Sequence, residues 1–471
     1  MPSAVYNMQT NNDAMGRTLI IGLGKTGLSC ARYLAARGIE VAVADDRTEP
    51  PGLAALREEL PDVAVFLGEY PQHAIQRARL LVVSPGVSLQ HPVLAAAAAR
   101  GQELIGDIEL FARAVQGSTT AAGGRMPGAT AARAPVVAIT GANGKSTVTS
   151  LLGQMAQAAG RDVRVGGNLG TPALELLQAD EPELYVLELS SFQLESTYSL
   201  NAAAATVLNI TPDHMDRYRN LDEYSAAKQR IFRGDGVMVL NADDPNVNAM
   251  ALPDRRLLRF TLGMPAEDEY GVRQHAGEDW LACGAENLLP VAALRIPGRH
   301  NVANALAALA LGAAVNLPTA AMLTTLRAYA GLPHRTQWVA QRAGVDWYND
   351  SKGTNVGATL AALLGMPGQV VLIAGVEGKG ADFSPLRAAV AEKARAVVLI
   401  GRDAAIIEAA LAGAAPVSHA NTMEEAVAQA RALAQAGDVV LLSPACASFD
   451  MFDNYEQRGQ VFTAAVLKVL A

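Results

Sequence analysis

Residues 135–147, PVVAITGANGKST, run a short apolar segment into a glycine turn that ends in Gly-Lys-Ser. A strand that enters such a turn and leaves it as a helix commits the chain to an open α/β sheet with an anion at its carboxyl edge. Gly141 and Gly144 let backbone N–H groups close around phosphate oxygens, where a side chain would block the approach. Lys145 adds a point charge near the β- and γ-phosphates, the Ser146 hydroxyl can ligand Mg²⁺, and Asn143 and Thr147 complete the loop. The following helix, expected from about Ser146, aims its positive end at the same anion. The expected ligand is ATP. The full eight-residue pattern wants Gly at the position of Ile139.

The rest of the chain repeats the strand–helix logic. At 471 residues the length suggests about three domains. Aromatics are 5% and hydrophobic residues 50%, a balance suited to helices packed on parallel strands. We place domains at 1–105, 106–331 and 332–471. The first two are read as a Rossmann-like unit and a phosphate-loop ATPase-like parallel sheet with a small antiparallel patch over the charged, alternating runs after residue 255. The third, also Rossmann-like, takes its strands from QVVLIAGV, ARAVVLIG and DVVLLSPA, beyond a hinge at GLPHR (331–335). The polar leader 1–15 and the Gly/Ala/Thr-rich stretch 117–133 are expected to be loosely ordered. A formal net charge of −8 argues against a nucleic-acid partner. Cys30, Cys283 and Cys446 are far apart and odd in number, which favours reduced thiols in a cytoplasm over a disulfide frame. No membrane span is expected.

A second glycine turn, Gly22-Leu23-Gly24-Lys25-Thr26-Gly27, follows the run TLII, and Asp45 and Asp46 close the next strand. Alone this predicts a dinucleotide site and a nicotinamide-dependent oxidoreductase. The geometry, however, serves any diphosphate at a helix N-terminus. Beside a second phosphate loop it suits a nucleotide-diphosphate substrate.

Polar groups also gather at the ends of later strands. Glu188, in YVLELSSFQ, sits where a carboxylate facing a triphosphate would ligand Mg²⁺. His214, in NITPDHMDR, can bind metal or orient substrate. Lys228, in YSAAKQRIF, reads from composition as a solvated lysine.

The ordered set TGANGKST, GGNLGTP, LELSSFQLE, TPDHMDRY, AAKQRIF, GRHNVANALAA, GLPHRTQ, NDSKGTN and SPACASFDMFDNYEQRG resembles the Mur ligase family over nearly the whole chain. NDSKGTN and SPACASFD resemble its D-glutamate-adding branch; a sister Mur ligase or a folylpolyglutamate synthetase shares the scaffold. The resemblance implies that ATP phosphorylates the carboxylate of UDP-N-acetylmuramoyl-L-alanine and that the amine of D-glutamate displaces the phosphate, in a cytoplasmic step of peptidoglycan synthesis. It implies two Mg²⁺ sites held by Ser146, Glu188, His214 and a carbamylated Lys228. Lys145, His214, Lys228 and Lys352 become the catalytic set. Asn304, Arg335, Asp350 and Lys352 join the phosphate loop around ATP. The uridine-diphosphate substrate is matched to Gly24, Lys25, Thr26, Gly27, Asp45, Arg47, Ser84, Gly86, Asn168 and Ser190. D-Glutamate is matched to His334, Thr354, Lys379, Ser448 and Tyr455. Three departures stand out: Tyr455 where Phe is usual, Glu377 for Asp, and Gly353 for Ala. A monomer is expected.

Overall fold

The computed structural model describes residues 18–117, 134–177, 180–214, 217–378 and 380–470. The leader and nearly all of the 117–133 insertion lie outside the described residues. The chain divides into two compact units, one running to Phe260 and adding Ala307–Met322, the other made of Thr261–Leu306 and the residues from Leu323 onward. Among the described residues no helix is long and apolar enough to cross a membrane.

The first unit holds two parallel arrays of strands. β1 (Thr18–Ile21), β2 (Val41–Asp45), β3 (Ala64–Leu67), β4 (Leu80–Val83) and β5 (Glu103–Ile105) pair in the order β3-β2-β1-β4-β5. The register sets Ile20 beside Val43 and Val82. Because successive side chains alternate across a strand, Leu19, Ile21, Leu81 and Val83 enter one buried cluster. Ile20, Val43, Val82 and Ile105 enter another. Burial on both faces explains why these strands read as unbroken apolar runs. β1 has β2 on one side and β4 on the other, so a crevice opens beyond its carboxyl end.

The second array is β6 (Val136–Thr140), β7 (Val163–Gly167), β8 (Leu184–Glu188), β9 (Ala204–Val207), β10 (Val237–Asn241) and β11 (Leu257–Phe260), ordered β11-β10-β9-β6-β8-β7. β6 lies between β8 and β9 with parallel register. Thr140, Glu188 and Val207 therefore end side by side, and the phosphate loop leaves from the middle of that edge.

In the second unit, β12 (Tyr270–His275), β13 (Glu278–Cys283) and β14 (Glu286–Pro290) form the expected antiparallel patch. The last sheet joins β15 (Gln337–Arg342), β16 (Val345–Asn349), β17 (Val370–Gly375), β18 (Ala394–Ile400), β19 (Val417–Ala420) and β20 (Val439–Leu442) in the order β15-β16-β20-β17-β18-β19. The three strands expected from sequence are β17, β18 and β20, all parallel. β15 is added antiparallel on β16, and β19 at the opposite edge. All three cysteines are unpaired.

Candidate active site

Thr140 closes β6, and Gly141 (φ 150°) and Gly144 (φ 83°) bend the loop before the helix Lys145–Ala158. That helix starts one residue earlier than expected. A Cβ at Gly141 would stand 3.1 Å from the Leu208 backbone nitrogen, so glycine is required by close approach as well as by its φ. Asn209, just past β9, fixes the loop. Its Oδ1 accepts from the Asn143 N–H at 2.8 Å, its Nδ2 donates to the Asn143 carbonyl at 3.1 Å, and its own carbonyl accepts from the Ala142 N–H at 3.0 Å. The Lys145 ammonium donates to the carbonyls of Gly141 and Ala142, both at 2.8 Å. Ser146 is buried at the first turn.

Lys228 lies on the helix Leu221–Gln229 and is 1% exposed, which overturns its reading from composition as a solvated lysine. Its Nζ donates to the Gly141 carbonyl at 2.9 Å and to Thr140 Oγ1 at 3.3 Å, and it stands 4.6 Å from the Tyr224 ring centroid. Burial and the nearby charge of Lys145 lower its pKa to about 6, against the opposing pull of Asp213 and Glu188. At neutral pH the amine is therefore largely uncharged.

Glu188 is also buried. Its Oε1 accepts from Asn168 Nδ2 at 2.6 Å, while Oε2 has no hydrogen-bond partner among the described residues. A buried carboxylate oxygen left unsatisfied is costly, and a hard cation satisfies it. These residues thus fit Mg²⁺, and the Ser146 hydroxyl, buried at the start of the neighbouring helix, would offer a second oxygen. Among the described residues no group of three or more His, Cys, Asp and Glu gathers into a metal cage, so other oxygens must complete the shell. His214 is placed differently from Glu188. It has φ 57°, its side chain is 47% exposed, and its ring packs 4.7 Å from that of Phe192.

The first glycine loop borders a cavity of about 790 Å³ in the same unit. Gly24, Lys25, Thr26, Asp45, Arg47, Ser84, Gly86 and Asn168 line it, and Gly27 and Ser190 are not in its wall. Gly27 serves packing instead. A Cβ there would fall 1.9 Å from the Gly22 carbonyl oxygen, so glycine lets the helix meet the turn. Ser190 caps the helix Ser191–Glu195, accepting from the Gln193 N–H at 3.2 Å. Asp45 acts as a clamp. It accepts from the Leu23 N–H at 2.6 Å, from the Arg47 N–H at 2.9 Å, and from the Arg47 guanidinium at 2.8 Å on each oxygen. Burial alone would raise the Asp45 carboxyl, but these bonds outweigh it and hold it down to about 2. Lys25 Nζ donates to the Gly170 carbonyl at 2.6 Å.

In the second unit, Asp350 is buried, and burial pushes it up to about 6 against hydrogen bonds from Ser443 Oγ at 2.7 Å and from the Thr336 N–H at 3.0 Å. Lys352 Nζ stands 3.7 Å over the Tyr455 ring, so the aromatic face, shared by Phe and Tyr, is what this position supplies. His334 (φ 61°) meets Asn349 Nδ2 at 3.0 Å through Nδ1. Arg335 follows it in the turn, its N–H donating to the Leu332 carbonyl. Asn304 donates to Asn301 Oδ1 at 3.1 Å. The Thr354 N–H donates to the Lys352 carbonyl, and Ser448 is buried. Glu377 pairs with Arg402 at 2.8 Å. A Cβ on Gly353 would stand 2.5 Å from Asp350 Oδ2. Lys379 lies outside the described residues.

Sequence reasoning missed three residues here. Asn209 and Gln193, the latter in the cavity wall, sit inside quoted motifs without an assigned role. Arg458 is fully buried and donates to Ser351 and to the carbonyls of Cys446 and Ala447, tying together the loops that carry Lys352, Ser448 and Tyr455.

Three family models match in chain order. They are the Mur ligase MurD-like N-terminal domain over 16–106, the Mur ligase middle domain over 139–312, and the Mur ligase glutamate ligase domain over 334–446. The chain belongs to the Mur ligase family. A UDP-N-acetylmuramoylalanine–D-glutamate ligase of Nitrosococcus oceani is 59% identical over 456 residues, 96% of this chain and 97% of that protein. Its namesake in Methylococcus capsulatus is 53% identical over 454 residues, covering 96% and 95%. The solved UDP-N-acetylmuramate-alanine ligase MurC of Thermotoga maritima is 18% identical with a TM-score of 0.58, covering 96% of this Mur ligase and 99% of its own chain. At that identity it speaks for the fold alone.

Proposed function

We propose that this Mur ligase joins D-glutamate to UDP-N-acetylmuramoyl-L-alanine at the expense of ATP. The observation that carries the reading is identity of 53–59% over 96% of the chain to ligases of that name. The chemistry of the first unit supports it. The cavity beside the Gly22–Gly27 turn holds the uridine-diphosphate substrate, and the 140–147 loop holds the triphosphate. A carboxylate oxygen of the substrate attacks the γ-phosphorus, the bond to the bridging oxygen breaks, and ADP leaves an acyl phosphate. The amine of D-glutamate then attacks the acyl carbon, gives up a proton, and inorganic phosphate departs. Such phosphoryl transfer needs positioning and charge neutralisation more than covalent help. Lys145 and the loop N–H groups supply both.

Ser146, Glu188 and a carbamate on Lys228 would hold Mg²⁺, which neutralises charge on the phosphate oxygens when bound. His214 stays a candidate ligand. The uncharged Lys228 amine has its lone pair available for CO₂, and the adduct sheds a proton to become an anion beside Lys145. In the second unit, Asn304, Arg335, Asp350 and Lys352 serve ATP. His334, Thr354, Lys379, Ser448 and Tyr455 serve D-glutamate, with Arg458 behind them. Three domains, at 1–105, 106–331 and 332–471, then centre in turn on the uridine substrate, ATP and D-glutamate while sharing contacts, and the enzyme works as a cytoplasmic monomer.

The test is ADP release with UDP-N-acetylmuramoyl-L-alanine and, in turn, D-glutamate, L-glutamate, L-lysine and meso-diaminopimelate. Release with D-glutamate alone is expected. Release with another amino acid in its place moves the chain to a sister activity, and release with none overturns the reading.

A further inference from the structure

The cavity wall contains two side-chain amides, Asn168 and Gln193. Each is gripped by a buried carboxylate that has one oxygen without a partner among the described residues. Asn168 Nδ2 donates to Glu188 Oε1 at 2.6 Å, and Gln193 Nε2 donates to Asp107 Oδ2 at 3.0 Å. Glu188 has the phosphate loop beside it, which accounts for its second oxygen. At Asp107 the backbone N–H groups of its own residue and of Ile108 favour the charged carboxyl, against burial, which raises it, and nothing in the mechanism above uses it.

Asp107 is 2% exposed and opens the helix Asp107–Gln116, which follows β5 directly. The segment around it is bolted to the helix that carries Gln193. The Gly106 N–H donates to the Ser196 carbonyl at 3.0 Å, and Glu109 accepts from the N–H groups of Tyr198 and Ser199 at 2.7 and 2.8 Å. Gln193 is held at its other end too, since its Oε1 accepts from the Ser190 N–H at 3.1 Å. An amide so held has one orientation: oxygen toward Ser190, NH₂ toward Asp107. An NH₂ group has two donors, and Asp107 takes one. The other remains for an acceptor in the cavity. Ser190 lies two residues beyond Glu188, and Asn168 donates to Glu188; on the proposed reading this is the side of the cavity toward the reacting carboxylate.

We propose that Asp107 is a positioning residue for the acyl end of the substrate, fixing Gln193 so that its free N–H meets an oxygen acceptor there. Burying a carboxylate is costly, and a purely structural tie between these segments already exists through Glu109. The cost is understandable if Asp107 orients a donor whose amide would otherwise be free to flip. The inference rests on reading the cavity as the uridine-diphosphate substrate site.

Calorimetric titration separates the possibilities. UDP-N-acetylmuramoyl-L-alanine and UDP alone are titrated into the wild type, Asp107→Ala, Asp107→Asn, Gln193→Ala and the Asp107→Ala/Gln193→Ala double variant. Asp107→Ala and Gln193→Ala are each expected to weaken the full substrate about tenfold, the scale of one lost hydrogen bond, while UDP stays within about twofold. The double variant is expected to bind no more weakly than the weaker single, because both break one link. Asp107→Asn, which keeps an acceptor oxygen, recovers most of the affinity. Substrate binding unchanged in Asp107→Ala, UDP weakened to the same degree, or additive single effects would each overturn the proposal. Should Asp107→Ala fail to fold, an unchanged Gln193→Ala overturns it equally. A wild type that binds neither uridine ligand overturns the functional reading itself.

Discussion

The two glycine turns of the first unit solve the same steric problem and differ in how they are held. Both follow the central strand of a parallel array, and both put glycine in the left-handed region, at Gly22 (φ 92°) and at Gly144 (φ 83°). The first is clamped by a carboxylate, Asp45, neutralised by the fork of Arg47. The second is clamped by a neutral amide, Asn209. A diphosphate site tolerates a carboxylate behind the loop when an arginine cancels it. On the proposed reading, a like charge with neither an arginine nor a metal ion to cancel it would repel a triphosphate where charge builds up during transfer. The second loop keeps its clamp uncharged, and the ionisable groups around it, Lys145, Lys228 and Glu188, are those that the proposed function uses.

Lys228 gives the largest effect by which to break that contrast. If it contributes an anion as a carbamate, Lys228→Ala is expected to lower kcat about a thousandfold, the order seen for removal of a preorganised electrostatic group. Small carboxylates such as formate or acetate should restore part of the activity by entering the space the side chain leaves. Near-normal turnover in steady-state assays of Lys228→Ala would mean that the buried lysine only packs. Failure of every small carboxylate to restore activity would leave it an uncharged amine acting through its bond to the Gly141 carbonyl.

A smaller loss is expected at the neutral clamp. Asn209→Ala removes the two side-chain bonds to Asn143 and leaves the Asn209 carbonyl on the Ala142 N–H. A loop freed by this much misplaces its N–H groups by a fraction of an ångström, which costs about ten- to thirtyfold in kcat/KM for ATP. The KM for the uridine substrate should stay within about twofold, a split that steady-state kinetics reads directly. Asn209→Asp sharpens the charge argument, since it keeps the shape and adds the like charge. If it is no worse than Asn209→Ala, the account of why this clamp is neutral fails.

Much of this is legible in the chain and some is not, for a physical reason. Glycine turns, apolar runs and polar residues at strand ends are local, and all appear in the structure near where the sequence implies them. The clamps are not local. Asn209 meets a loop 66 residues away, and Asp107 meets Gln193 across 86. Periodicity carries no information about which distant backbone group a polar side chain will satisfy. Composition misleads about Lys228 for the same reason, since only the packed structure shows that its helix turns it inward. β15 and β19 are hard to see in sequence because edge strands are half exposed; QWVAQR and VSHA lack the apolar run of a central strand.

The smallest predicted effect tests the charged clamp through stability. Asp45 is 1% exposed and its carboxyl is held down to about 2, against about 3.9 in an unfolded chain. A depressed carboxyl stabilises the fold fully above its unfolded value and loses that contribution as pH falls toward its folded one. The difference is worth about 2.6 kcal/mol at neutral pH, before discounting for the solvent around Arg47, whose side chain is 52% exposed. Asp45→Asn should therefore lower the unfolding midpoint at pH 7 by a few degrees, and the gap to wild type should narrow steadily as pH drops from about 5 to 3. Because the asparagine oxygen can still accept from only some of the four N–H donors, KM for the uridine substrate should rise a few fold while kcat holds. A gap in thermal unfolding that stays constant across this pH range would show that the Asp45–Arg47 pair acts through shape alone, and the distinction between a charged and a neutral clamp would lose its electrostatic basis.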